Sequence, residues 1–375
     1  MPEQPTGTVT LMAGGDIGPR FPPTREFAAL IAPVLAKADI RFGQCERLYS
    51  LRGADPQFIQ GPGGQHSRVD PSMADVFDAA NIDVVSMASN HAMDWGPDAM
   101  LDTVDLFRKM GKSVIGAGRD AEEARAPAII EKNGVRVAFL AYCSVMRDGQ
   151  AAGKGKVGMA PMRAHTYYSP EEYQPATPPV MISAPHEGDL AAMQADIRAA
   201  KARADVVVVS HHWGIRLVAK TVAMYQQPIA HAAIDAGADL ILGHHSHCLK
   251  AVEVYKGKVC FYSIGNFITT GAFHQTPFYW NFLWFDIDRE CLPPEGLYNF
   301  PSHCRKTMVA KAVFTRNGIE RVSFLPAYIN HRAQQYAVGR DDPKFREILD
   351  YMEWVSDQHA HKFRVDGDEV VIEAP

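Results

Sequence analysis

Five times in this chain a short apolar run breaks off directly into residues that ligate metals or carry protons. Residues 8–13 lead to Gly14-Gly15-Asp16, 39–43 to Gln44-Cys45-Glu46, and 82–87 to Ala88-Ser89-Asn90-His91. Residues 205–210 lead to His211-His212, and 239–242 to Gly243 and three imidazoles, His244, His245 and His247. Each run has the length and composition of a buried strand, and stretches with helical spacing fill most of the gaps. Strands of one sheet bring their C-terminal ends to one rim, so residues distant in sequence converge there. The pattern predicts an α/β fold: a layered β-sheet core flanked by helices, with ligands at strand C-terminal ends.

The connecting stretches read as helices over 25–38, 71–80, 96–111, 187–203 and 222–236. Asn133-Gly134 predicts a hairpin between 127–132 and 135–142. Residues 145–185 are rich in Gly, Pro, Lys, Met and Tyr and hold no sustained period, which reads as a surface insertion. Such segments often serve as lids, and Lys154, Lys156, Arg163, Tyr167 and Tyr168 are its candidate substrate contacts. Beyond 270 the pattern turns to hairpins, with β-like segments at 280–288 and 307–315, a strand at 320–325 and a helix over 343–358. The expectation is one domain over 1–375, with a core at about 8–270 and residues 271–375 completing it.

With 47% hydrophobic and 22% charged residues, the chain has ample material for a core. A net charge of -5 and a pI near 6.3 give no electrostatic case for nucleic acid. The N-terminus lacks a basic and apolar leader, and no apolar run approaches the roughly 20 residues that span a bilayer. A cytoplasmic protein without a membrane segment is expected, acting on a small-molecule or peptide-like substrate. The 6 cysteines, none in a C-x-x-C pair, fit reduced core thiols better than a disulfide framework.

Taken singly, the polar strand ends have ordinary explanations. Asp16 suits a turn, Asn90-His91 a helix cap, and His211 or His212 a satisfied structural histidine. Together they assemble carboxylates, an amide and imidazoles. That mixture suits a borderline ion such as zinc, manganese or iron over a hard all-oxygen calcium site.

The motifs GGDIG, SNHAMDWG, SHHWG, GHHSH and YSIGNF, with a Glu ending the second strand, occur in order over about 8–270. On these the chain resembles the CapA family of poly-γ-glutamate capsule synthesis proteins, which has the fold of the calcineurin-like metallophosphatases. The resemblance implies a metallophosphatase-like sheet core with two ions bridged by a carboxylate. Asp16 would hold the first ion, Glu46 the bridging place and Asn90 the second ion. His212, from His-Trp-Gly, and the pair His245 and His247 would complete the set, with His244 left out. His91 would be the acid or transition-state contact, oriented by Asp94. Two positions depart from the pattern: Gly18 stands where Asp-x-His is usual, and the bridging residue is Glu rather than Asp. One or two divalent ions are therefore expected, with the first position weakened. Arg216 stands near a place that is acidic in many members, and offers a fork for carboxylate or phosphate. The implied activity is metal-dependent hydrolysis of a phosphoester or amide bond. A poly-γ-glutamate capsule biosynthesis component, a peptide epimerase using acid/base chemistry at Cα, and a binding module with a vestigial site are the alternatives.

Overall fold

The computed structural model describes residues 7–53, 68–170, 172, 177, 179–271, 286–291 and 296–375. Most of the 280–288 segment predicted as strand lies outside these residues. Two mixed sheets pack face to face. The first runs in the order Lys362–Asp366, Glu369–Glu373, Gly318–Ile329, Lys306–Thr315, Val9–Gly18, Ile40–Cys45, Val84–Ser86, Ser113–Ile115. Its last four strands are parallel and its C-terminal hairpins antiparallel. The second runs Val252–Tyr255, Lys258–Phe261, Leu240–His244, Val206–His212, Val135–Cys143, Ala128–Lys132, with its four central strands parallel.

The strand period of two sorts side chains to opposite faces. On the second sheet, Phe139, Val206, Val208, Leu240, Leu242 and Phe261 join Leu11, Phe42 and Ile82 in the core between the sheets. The alternate residues Leu140, Val207, Val209 and Ile241 pack outward on Met193 and Ile197 of helix Glu187–Lys201 and on Ile229 and Ala233 of helix Gln226–Ala236. Phe42 spans the interior, stacked 6.4 Å from Phe139 and 5.7 Å from His244.

The rim differs from the single-sheet expectation. Asp16, Glu46 and Asn90 end strands of the first sheet, whereas His212 and the histidine cluster end strands of the second. The two parallel sets are stacked so that both present their C-terminal ends to one seam. Val9–Gly18 is the centre of this arrangement. Its lower half pairs with Lys306–Thr315 up to Ala13↔Ala310 and its upper half with Asn266–Thr269 from Asp16↔Asn266. Gly14-Gly15 bridges the change of partner, and a Cβ at Gly15 would stand 1.9 Å from the Gly265 carbonyl oxygen. Only glycine admits that approach.

Three further readings change in the structure. The helix expected over 25–38 is two short ones, Arg25–Ala28 and Ala32–Leu35, since Pro33 cannot supply an amide to a continuous helix. The 145–185 insertion divides into a buried part and an exposed one. Gly158–Met159 pairs with Ala117–Gly118, and Met159, Ala160 and Met162 are buried. Ala164–Ser169 and Val180–Pro185 form an exposed ribbon carrying Tyr167 and Tyr168. Arg163, read as a substrate contact, is instead held in a fork by Asp189, with contacts of 2.7 and 2.8 Å. Among the described residues no helix is long and apolar enough to cross a membrane.

Candidate metal centre

The strand period decides between adjacent histidines. His211 points outward and stacks 4.4 Å from Trp213, while His212, one residue on, points into the seam. By the same alternation His244 faces inward against Phe42. His245 and His247 reach the seam because their backbones adopt left-handed values, φ 87° and 57°. Such values cost non-glycine residues of order 1–3 kcal/mol and recur where function demands a particular aim.

The seam brings together all six residues expected as ligands. His212 Nε2 lies 3.1 Å from Glu46 Oε1 and 2.7 Å from Asn90 Oδ1, and His245 Nδ1 lies 3.2 Å from the same amide oxygen. His247 Nδ1 lies 3.3 Å from Asp16 Oδ2 and 2.8 Å from Asn266 Oδ1. One ligand atom each from Asp16, Glu46 and His212 fall within 4.8 Å of one another. Beside them, His91 Nδ1 is 2.6 Å from Asp94 Oδ2, and His91 Nε2 faces Glu46 Oε2 at 3.8 Å. Arg216 stands at the mouth. Its residue is exposed, yet neighbouring protein strips enough water to lower its pKa, and its charge acts on Glu46, His245 and His247.

Burial makes this set costly without a cation. Neither oxygen of Asp16 nor of Glu46 accepts a hydrogen bond of good geometry. The His245 amide and the Ser89 hydroxyl lie near enough only to moderate their charge. Desolvation raises the Asp16 carboxyl to about 8, and desolvation reinforced by Asp16 raises that of Glu46 to about 8. Desolvation also lowers His212 and His245 well below the usual imidazole range, and His247 to about 3. Neutral imidazoles and carboxylates short of donors are the chemistry of a divalent-metal donor set, and the residues fit that group.

The pH dependence follows with a definite sign. Folded pKa values raised from the ordinary carboxyl range to about 8 contribute stability at low pH that is lost as pH rises through 8. Below about pH 6.5 the buried neutral histidines act with the opposite sign, so metal-free protein is expected to lose thermal stability between about pH 6.5 and 8. Added divalent metal should reverse most of the loss, and a flat melting profile without metal would contradict the buried-carboxylate account.

Position 18 is explained by a residue that spacing did not single out. A Cβ on Gly18 would stand 2.9 Å from Arg47 Cγ and 3.2 Å from Glu46 Cβ, so no histidine fits while Arg47 holds this place. Arg47 folds back under the first strand, donates from Nε to the Gly18 carbonyl at 3.1 Å, and is only 7% exposed. Its charge favours the ionised forms of both Asp16 and Glu46. The place of the usual ligand thus holds a fixed cation. Asn266 is the other residue that ligand spacing missed, although the YSIGNF motif contains it.

The model of the bacterial capsule synthesis protein PGA_cap family matches residues 11–270. The chain is 36% identical over 247 residues to the PGA biosynthesis protein CapA of Bacillus subtilis (strain 168), covering 66% of this chain and 57% of that protein. It is 32% identical over 197 residues to the capsule biosynthesis protein CapA of Bacillus anthracis, covering 52% and 42%. The chain spans about half the length of these curated relatives. Among solved structures, the calcineurin-like phosphoesterase YfkN from Bacillus subtilis is similar over 94% of this chain and 99% of that chain, at 15% identity and a TM-score of 0.39. That likeness is too distant to inform the chemistry.

Proposed function

Since this chain belongs to the bacterial capsule synthesis protein family, we propose that its seam is the active centre of a metal-dependent hydrolase acting on a phosphoester or amide bond in an anionic substrate. The observation that supports this reading is the pair of buried carboxylates, Asp16 and Glu46, short of hydrogen bonds and facing His212, His245 and His247. Asp16, Glu46 and His212 would hold the ion, with Asn90, His245 and His247 beside them. The Arg47 charge next to the first position favours one ion over two. Such an ion supplies Lewis acidity and lets water lose a proton near neutral pH.

The remaining steps belong to the chain itself. Asp94 fixes the His91 ring through Nδ1, which turns Nε2 toward Glu46 and the reacting position. From there Nε2 protonates the leaving group. Arg216, whose charge already acts on Glu46, takes an anionic group of the substrate in its fork. The relatives named for poly-γ-glutamate biosynthesis make a glutamyl amide the first substrate class to try.

The test is elemental analysis of protein supplied with manganese, zinc or iron, followed by assay against phosphomonoesters, phosphodiesters and γ-glutamyl amides. Absence of bound metal after supplementation would sink the reading. Once a substrate is in hand, Arg216→Ala should raise KM about 10- to 100-fold with a smaller change in kcat, since a substrate anion loses a charge-assisted partner. A variant with unchanged KM would remove Arg216 from the site.

A further inference from the structure

All six cysteines are buried and unbridged, and two of them lie together beside the seam. Cys248 directly follows His247, and Cys304 directly follows His303. The topology brings them together. Lys306–Thr315 runs antiparallel to Val9–Gly18, so its first residues lie toward the ligand end of that strand. The single turn Ser302–Arg305 that precedes it is carried to the same end, beside the turn bearing His245 and His247. One ligand atom each from Cys248, His303 and Cys304 there lie within 4.8 Å of one another.

The donors are also poorly served by the protein. His303 Nε2 is buried without a hydrogen bond of good geometry, and Cys248 Sγ faces Cys304 and His303, with one further contact, 3.9 Å from the Val218 carbonyl. Leaving a buried ring nitrogen unpaired costs about 1–3 kcal/mol, so its persistence calls for a partner. A thiolate is a weak hydrogen-bond group and a strong ligand for soft ions.

We propose that Cys248, His303 and Cys304 form a second metal site, distinct from the seam, that takes one zinc-class ion through two sulfurs and one imidazole. In tetrahedral geometry, with Zn–S about 2.3 Å and Zn–N about 2.0–2.1 Å, the ligand atoms stand about 3.3–3.8 Å apart, and here they already lie within 4.8 Å of one another. Binding exchanges thiol protons for the ion and leaves every oxidation state unchanged. His303 is the one partly exposed member of the set, so the fourth position belongs to water on its side. The selection is by class: sulfur and imidazole donors favour zinc over the magnesium, calcium or manganese that oxygen-rich sites take.

The site has a physical task. Tyr298 Oη donates to the Cys304 carbonyl at 2.7 Å and accepts from Asn266 Nδ2 at 2.7 Å, and Asn266 Oδ1 faces His247 Nδ1 at 2.8 Å. An ion joining Cys248 to Cys304 therefore restrains His247 twice, at its backbone through the adjacent Cys248 and at its ring through this relay. This restraint is independent of whether the seam hydrolyses anything.

Cobalt(II) tests it on the full chain, because sulfur-to-cobalt charge transfer absorbs in the near ultraviolet and oxygen or nitrogen ligation does not. Cobalt-loaded wild type should show that band, and so should Asp16→Asn, which damages only the seam. Cys304→Ser should lose the band and one zinc per chain by elemental analysis. His303→Gln, which keeps both thiols, should shift the band and weaken zinc retention, which covers the case in which the serine variant fails to fold. The proposal is overturned if saturating cobalt gives no thiolate band in the wild type. Equal zinc content in wild type, Cys304→Ser and His303→Gln would also overturn it, as would a Cys248–Cys304 disulfide whose reduced form binds no zinc.

Discussion

Asp16→Asn is expected to strip the seam of its ion and to lower turnover by more than about 100-fold, beyond the 10- to 100-fold typical of losing a partner behind a ligand. The substitution keeps the shape of the side chain and removes its charge. The carboxyl it replaces is raised to about 8 by burial, so above pH 4 the metal-free fold must either hold a proton there or bury a charge. Asparagine does neither. Metal-free Asp16→Asn should therefore melt above metal-free wild type at pH 8, by an amount on the order of a few kcal/mol, and converge with it near pH 4. With metal added the order inverts, because only the wild type gains binding energy. Elemental analysis and melting curves at the two pH values read both effects. A variant with the same metal content per chain as the wild type would show that Asp16 is not a ligand.

His91→Ala should separate chemistry from metal binding. The ring is fixed by Asp94 at 2.6 Å and faces the ligand set through Nε2, 3.8 Å from Glu46. Removing a positioned proton donor costs about 10²–10⁴ in rate. A fall in kcat of that size is expected with the metal content unchanged. Asp94→Asn preserves the ring and disturbs its tautomer, so it should lower kcat less and alter the pH profile of the rate. Loss of the ion in His91→Ala would move His91 into the ligand set instead, and a change below about fivefold would leave it without a chemical role.

Local pattern made the strand ends legible, because apolar runs of strand length punctuated by polar residues carry their own boundary. The choice of His212 over His211 came from a motif, and the alternation of side chains along Val206–His212 gives the physical reason. The pairing of strands was not legible. Periodicity reports that Val9–Gly18 is buried on both faces but not that its neighbours lie in two distant parts of the chain. The two-sheet seam therefore replaced the single rim. Arg47 was hidden for a related reason. Beside Glu46 it reads as an ordinary surface charge, and only the fold turns it back to fill the space that Gly18 leaves. The buried stretch 158–162 was masked by composition, since glycine, proline and methionine describe a loop and a packed crossing equally well.

The change of partner along Val9–Gly18 also sets an order of events during synthesis. This strand is made before its sheet neighbours and occupies the middle of its sheet, yet one flank of its lower half is closed only by Lys306–Thr315. Every ligand of the seam has been made before that closing strand appears. Until then the backbone amides and carbonyls of Val9–Ala13 form an open edge, the kind of surface that recruits other nascent chains. The stretch shared with the family, residues 11–270, therefore contains the ligands but not the strand that seals their central support. The open edge must stay protected until Lys306–Thr315 is made and the centre beside it becomes permanent.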